Sequence, residues 1–187
     1  MTLLYRIPCR QVFHFIPFHR SNPQMTPQKN PAGIVGEVLE GYARKGIFRG
    51  FSPASNAGPR TTFRIVWHRD QRFECILDPK RRTLRVPVVL PDVPARSEMD
   101  RAFKEYVKDR HSESRPPHRR IDPAKTEIKP YNRANHATLT ATVHDDDYEY
   151  AARKLVNLIN EIYMDFLRDG RFYDYMIDTF NLDPDHP

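Results

Sequence analysis

This sequence of 187 residues has few glycines, few cysteines and no long apolar run. Its seven glycines form neither a phosphate-binding loop nor a dinucleotide fingerprint. Its two cysteines, Cys9 and Cys75, form no Cys-x-x-Cys pair and no disulfide framework. No stretch approaches the roughly 20 consecutive apolar residues that span a bilayer. The sequence therefore predicts no metal, no cofactor and no membrane span.

Charge is abundant and unevenly distributed. Residues 1–90 carry 15 Lys/Arg against 5 Asp/Glu, residues 91–144 carry 11 against 8, and residues 145–187 carry 4 against 11. The formal net charge of the whole chain is +6. The basic first half and the acidic last quarter can attract each other within one molecule, between two molecules, or toward separate partners. The simplest interpretation is two solvated surfaces.

The composition indicates one domain with extensions. Residues 1–24 contain three arginines, no acid, and Pro8 and Pro17, which interrupt a helix. We predict that residues 1–30 are a disordered or spurious extension, with a targeting segment or a true start at Met25 as alternatives. The single domain is predicted over 31–181, with a flexible tail at 182–187. Low cysteine use and the lack of a secretory leader favour the cytoplasm.

Periodicity in the first half predicts a helix and then three antiparallel strands. Asn30 suits the N-cap of a helix at about 31–45, and residues 50–60 have the composition of a loop. Alternation of apolar and polar residues then predicts three strands between 62 and 90. Because Pro87 cannot donate to a strand ladder, we expect the third of these strands at a sheet edge.

The second half predicts two helices around two further strands. Ser97 suits the N-cap of a helix that ends near Arg110, and a short strand is expected to end at Pro130. A strand over 138–143 leads to a long helix, for which Asp146 and Glu149 have capping-box spacing. The predicted fold class is α+β: about five antiparallel strands covered on one face by helices, in the order α-β-β-β-α-β-β-α.

This order of elements and its hydrophobic pattern over about 31–180 resemble the secretion-chaperone-like α+β family, which includes bacterial type III secretion chaperones and related small regulators. The resemblance implies a non-enzymatic protein-binding module that often dimerises. It assigns no role to any individual residue, and fold analogy alone does not determine function.

One predicted surface is basic. Its residues have the strand parity opposite to the apolar face or lie at a turn, and they are Arg64, His68, Arg72, Arg81, Arg82 and Arg85. Such a surface suits phosphates, with salt-sensitive binding driven by counterion release. It also carries Glu74, Val66 and Ile76, and it lacks a row of aromatic residues for base stacking. A solvated face or a docking site for an acidic protein segment is the alternative.

A second set of candidate residues concerns partner or dimer contacts. Val88 lies on the strand expected at the edge, where an extended peptide can add to the sheet. Leu155, Ile159, Ile162 and Phe166 give the long helix a wide apolar face for a second copy, although the piece at 173–180 can cover that face internally. We therefore predict a non-catalytic protein-binding, adaptor or chaperone-like protein, with a homodimer as one arrangement and nucleic-acid binding as the alternative function.

An enzyme is the third hypothesis, without predicted catalytic residues. Cys75 has the parity of the apolar face, which makes it a core residue, whereas His68 is expected to point outward, so the two do not form a catalytic pair. The cluster His144-Asp145-Asp146-Asp147 offers ligands for a hard cation. Helix capping explains those acids more simply.

Overall fold

A computed structural model describes residues 30–53, 58–168 and 171–181. The extension predicted over 1–30, apart from Asn30, and the tail predicted over 182–187 lie outside these residues. The described elements are α1 (Pro31–Arg44), β1 (Gly50–Pro53), β2 (Thr61–Trp67), β3 (Gln71–Asp78), β4 (Thr83–Leu90), α2 (Glu98–Asp109), β5 (Thr126–Arg133), β6 (His136–Val143), α3 (Tyr148–Glu161) and α4 (Tyr173–Phe180). A π turn at Ile162–Phe166 continues α3. The predicted α+β class is confirmed.

The strands form one antiparallel sheet in the order β1-β2-β3-β4-β6-β5. The first four strands follow each other as a meander. The chain then passes through α2 to β5 at the far edge and returns as β6, which inserts beside β4. All helices lie on one face of this sheet, as the hydrophobic pattern predicts. None of the described helices is long and apolar enough to cross a membrane.

Side-chain caps begin three of the four described α-helices close to the positions that the sequence indicates. Asn30 Oδ1 accepts the Gly33 N–H at 2.6 Å to begin α1, and Ser97 Oγ accepts the Asp100 N–H at 3.1 Å to begin α2. The cap of α3 is Asp147, whose carboxylate accepts the Tyr150 N–H at 2.9 Å. The capping box predicted from Asp146 is therefore displaced by one residue.

The core lies between the sheet and the helix layer. Apolar residues of alternate strand positions, such as Phe63, Leu84 and Leu139, are buried against α1, α2 and α3. The four helix residues predicted as dimer contacts belong to this same core, and they are Leu155, Ile159, Ile162 and Phe166. This corrects the prediction, because side chains buried within their own chain offer no surface to a second copy. Their wide apolar face is covered by the sheet and by the rings around the π turn.

Two predictions about the sheet are also corrected. Residues 50–53, predicted as loop, form β1, which pairs with β2 at one edge. The strand that contains Pro87 is central and lies between β3 and β6. Between the pairs Val86–Leu139 and Leu90–Ala137 the register shifts. This bulge takes residues 87–89 out of the hydrogen-bonded ladder. The missing N–H of Pro87 therefore leaves no carbonyl of the neighbouring strand without a donor. The Thr138 hydroxyl donates to the Pro87 carbonyl at 2.7 Å.

Candidate functional site: the uncovered face of the sheet

The face of the sheet opposite the helices has no covering layer in the described residues. We call it the outer face. Strand register places Ile76, Arg85, Thr140 and Lys129 in one row across four neighbouring strands. The outer face comprises Thr62, Arg64, Val66, Arg72, Glu74, Ile76, Thr83, Arg85, Pro87, Thr138, Thr140, Thr142, Glu127, Lys129, Tyr131 and Arg133, with Arg60, Asp78 and Arg81 at its rim. It is a flat surface of arginine, threonine and scattered apolar groups.

The structure brings four of the six predicted basic residues to this surface. Arg64, Arg72 and Arg85 lie on the outer face, and Arg81 lies at its rim in the β3–β4 turn. Arg82 lies in the same turn but bonds to Asp146, with 3.2 Å between a guanidinium nitrogen and a carboxylate oxygen. It is therefore engaged with the segment before α3. His68, the sixth residue, is not part of this surface.

His68 is turned toward the helix layer, which corrects the prediction that it points outward. Its ring stacks on Trp67 and on Tyr163, with ring centroids 4.0 Å and 4.3 Å away. The backbone explains the error, because His68, Arg69 and Asp70 all have positive φ values and the strand alternation ends at Trp67. Burial lowers the pKa of His68 to about 4, so the imidazole is neutral at pH 7.

Carboxylates already engage part of the positive charge of the outer face. Arg64 lies 3.3 Å from Glu74, and Lys129 lies 2.8 Å from Glu127. At the rim, Asp78 bonds to Arg60 at 2.9 Å and to the Arg81 N–H at 3.1 Å. These hydrogen bonds, the one from Arg60 first, hold the pKa of Asp78 below its ordinary value.

The remaining charge of the outer face and its rim is positive. Seven Lys or Arg residues stand against three Asp or Glu residues, which gives a net charge of +4. Arg72, Arg85 and Arg133 have no ion pair with any residue in the described part of the chain. Three guanidinium groups on this surface are therefore available to carboxylate or phosphate groups of a partner.

A shallow groove of about 280 Å³ lies at the centre of this surface. Arg85, Thr140 and Ile76 form its floor, and Tyr131 stands at its side with half of its surface exposed. Arg60 and Arg81 close the end near the β3–β4 turn. The groove combines three guanidinium groups with one carboxylate, that of Asp78, two threonine hydroxyls and one aromatic ring. The excess of positive charge suits an acidic side chain next to an apolar one.

The edges of the sheet are poorly suited to the strand addition that the sequence suggests at Val88. Strand β4 is central, so Val88 does not lie at an open edge to which a peptide strand could add. It lies in the bulge, where 37% of its surface is exposed. At the β5 edge, His111 Nε2 accepts the Ile128 N–H at 3.1 Å, and Pro130 has no N–H to offer. At the other edge, β1 has only four residues and ends in Pro53. Short strands, prolines and side-chain caps are the usual protection of sheet edges.

The remaining sequence candidates have structural roles. Cys75 is buried in the sheet core, and burial raises the pKa of its thiol to about 12. In the cluster that begins at His144, Asp145 accepts the Asp147 N–H and Asp147 caps α3, while Asp147 also bonds to Lys125 at 3.1 Å. No group of three or more potential metal ligands occurs within 30–53, 58–168 and 171–181.

Comparison of the chain with protein families, with curated proteins and with solved structures gives no match in any of the three. The outer face itself is therefore the basis for inferring a function.

Two parts of the outer face were not predicted from the sequence: the residues on β5, and Arg60 just before β2. Lys129, Tyr131 and Arg133 lie on β5, which extends past Pro130 because an edge strand tolerates a missing N–H. The alternation of Glu127, Lys129, Tyr131 and Arg133 with Ile128 is a strand signal that identifies them. Arg60 lies in a proline- and glycine-rich segment that gives no such signal.

Proposed function

We propose that this chain is a non-catalytic binding protein whose outer face docks an acidic segment of a partner protein. One observation carries the proposal: within the described residues, the six-stranded sheet has no helix layer on its second face, and that face has a net positive charge with three arginines that form no ion pair. Antiparallel sheets often leave one face to solvent. This one adds Val66, Ile76, Pro87 and the Tyr131 ring to its charges, which supplies apolar contact area for a protein.

The same observations favour a protein over a nucleic acid. Glu74 and Glu127 stand among the basic residues and repel a phosphate backbone that crosses the face. Among the described residues, Tyr131 is the one aromatic ring on the outer face, whereas sheets that bind single strands stack several bases on several rings. Alternating charges instead suit a partner whose acids are spaced by apolar or basic residues.

The chaperone-like resemblance and the cytoplasmic location belong to this proposal as expectations. A basic, edge-protected sheet face is compatible with an adaptor that holds an acidic segment. The acidic last quarter of a second copy, with 4 Lys/Arg against 11 Asp/Glu, is itself a segment of this kind. Dimerisation through the outer face is therefore one form of the proposed binding.

The test uses a labelled 20-residue peptide in which glutamate alternates with valine and phenylalanine, and a mixed-sequence single-stranded DNA of 20 nucleotides. Fluorescence anisotropy measures the affinity of the full chain for each probe across a salt titration, and sedimentation measures self-association. We expect the peptide to bind more tightly than the DNA. The double variant Arg72→Glu, Arg85→Glu should weaken peptide binding by about tenfold or more, because it reverses two charges at the site.

The matched control is Lys45→Glu, Lys108→Glu, which makes the same change in net charge on the helix layer. We expect this control to leave the affinity for the peptide within about twofold of the unmodified chain. Equal losses in both double variants would contradict a site on the outer face. Tighter binding of the DNA, with a steep linear dependence on the logarithm of salt concentration, would replace the proposal with nucleic-acid binding.

A further inference from the structure

A second cavity, of about 440 Å³, lies on the helix side of the sheet and apart from the outer face. It opens between the β2–β3 turn, the π turn after α3, and α4. Its volume is within the range of roughly 300–1,000 Å³ that is usual for small-molecule sites. Its walls are mostly aromatic rings and methionine side chains, with two arginines at the rim.

The floor of this cavity is rigid. The Tyr163 hydroxyl donates to the Val89 carbonyl at 2.8 Å, and its ring lies parallel to His68 with an interplanar angle of 2°. Tyr163 belongs to the π turn, in which the Leu167 N–H donates to the Ile162 carbonyl at 3.0 Å. Single π turns are costly irregularities of helices and occur often at functional sites.

Helix α4 covers the cavity loosely. The Tyr175 hydroxyl anchors it to the Pro91 carbonyl at 2.6 Å, and the Phe180 ring lies 5.8 Å from the Tyr163 ring. No residue of α4 itself is fully buried. At the mouth, Met164 is 45% exposed and Tyr173 is 36% exposed. Apolar surface left open to water beside a concave wall is the usual mark of a ligand site.

The two charged side chains that the structure places at the rim, Arg69 and Arg168, are both positive. Neither Arg69 nor Arg168 has an ion pair within the part of the chain that the structure describes. Two described acids near these arginines in sequence bond elsewhere, Asp70 to Arg49 at 2.9 Å and Asp165 to Arg119 at 3.7 Å. The two guanidinium groups therefore stay available to an anion.

The β2–β3 turn adds two independent signs of a site. His68, Arg69 and Asp70 have φ values of 34°, 58° and 62°, a strained run that side chains with a Cβ rarely adopt. The Nε2 atom of His68 is buried and has no hydrogen-bond partner among the described residues, which is a costly arrangement for a polar atom. This turn places Arg69 at the rim and the His68 ring in the wall.

We propose that this cavity binds a small molecule with a flat apolar body and one anionic group, the class to which aryl carboxylates belong. The body lies against Tyr163, Met176 and Phe180, and the anionic group bonds to Arg69 and Arg168. This site does not depend on the function proposed for the outer face.

The test is isothermal titration of the full chain with 2-naphthoate and with its neutral analogue 2-naphthylmethanol. We expect 2-naphthoate to bind at least about tenfold more tightly, which is the contribution of a charge-assisted contact. The single variants Arg69→Asn and Arg168→Gln should each weaken naphthoate binding by about fivefold to tenfold and leave the neutral compound unchanged. Both arginines are exposed, and asparagine tolerates the positive φ of position 69, so these variants are expected to fold.

Lys45→Gln, a neutralisation at the end of α1, is the control and should bind naphthoate as the unmodified chain does. The outer-face variant Arg72→Glu, Arg85→Glu should also bind it normally, which separates the two sites. Equal affinity for the charged and the neutral compound, or unchanged affinity in both arginine variants, would overturn the proposal. Absence of measurable naphthoate binding at millimolar concentration would overturn it as well.

Discussion

Asp100 is the acid on which the junction of α2 with the sheet depends. Its carboxylate is buried and accepts three hydrogen bonds: from the Arg96 N–H at 2.8 Å, from Lys104 Nζ at 2.8 Å and from Asn132 Nδ2 at 3.2 Å. Asn132 also donates to the Val93 carbonyl at 2.9 Å. One side chain thus joins the first turn of α2 to β5 and to the loop after β4.

We expect Asp100→Ala to lower the free energy of unfolding by about 3–5 kcal/mol, because it leaves buried donors without a partner. Asp100→Asn keeps one acceptor oxygen and should cost about 2 kcal/mol. Urea unfolding followed by circular dichroism at pH 7 measures both losses. Glu105→Gln, an exposed position on the same helix, is the control and should change stability by less than about 0.5 kcal/mol.

The stabilisation by Asp100 has a defined dependence on pH. Burial raises the pKa of this carboxyl, but the three hydrogen bonds outweigh burial, and the pKa lies below its ordinary value of 3.8. The stabilisation is therefore complete above about pH 3.8 and is lost as the pH falls through the lower folded pKa. The difference in free energy of unfolding between the unmodified chain and the Asp100→Asn variant should be constant from pH 7 to pH 5. It should become smaller at lower pH. An Asp100→Ala loss below about 1 kcal/mol would refute this reasoning.

Two further predictions concern buried titratable groups. Burial raises the pKa of Cys75 to about 12, so in a Cys9→Ser background its thiol should react with a disulfide reagent at pH 8 only after unfolding; rapid reaction with the native chain would contradict its core position. Burial lowers the pKa of His68 to about 4, so its imidazole resonances should not move between pH 8 and pH 5.5. Because the unfolded chain binds that proton more readily, stability should fall as the pH drops from about 6.5 toward 4, and a mutant chain with His68→Phe should lose this part of the slope.

The local signals of the sequence predict most of the fold. Helix caps at Asn30 and Ser97, and alternation along β2, β3 and β6, depend on neighbours within a few residues, and all of these elements are present. Strand placement in the sheet depends on distant pairing. Pro87 therefore misled the prediction, because a bulge opposite Thr138 allows proline in a central strand.

The candidate site, too, has some residues that local sequence patterns predict and others that depend on distant pairing. Arg64, Arg72 and Arg85 were predictable from parity within regular strands. Strand parity gave the wrong direction for the His68 side chain, because positive φ values end the strand alternation just before this residue. The alternation along β5 is a local signal that identifies its residues as a strand, but the position of β5 at the sheet edge, after a connection of 16 residues from α2, depends on distant pairing.

The most direct test of the proposed function is residue-by-residue mapping of amide chemical shifts by nuclear magnetic resonance during titration with the acidic peptide. Binding at the outer face predicts saturable shifts that cluster on β2, β3, β4, β6 and β5, with the largest changes at Arg72, Arg85, Thr140 and Tyr131. The Arg72→Glu, Arg85→Glu chain should keep its own spectrum of a folded protein and lose these shifts. Saturable shifts confined to α1, α2 and α4, or no shifts at any peptide concentration, would contradict the account.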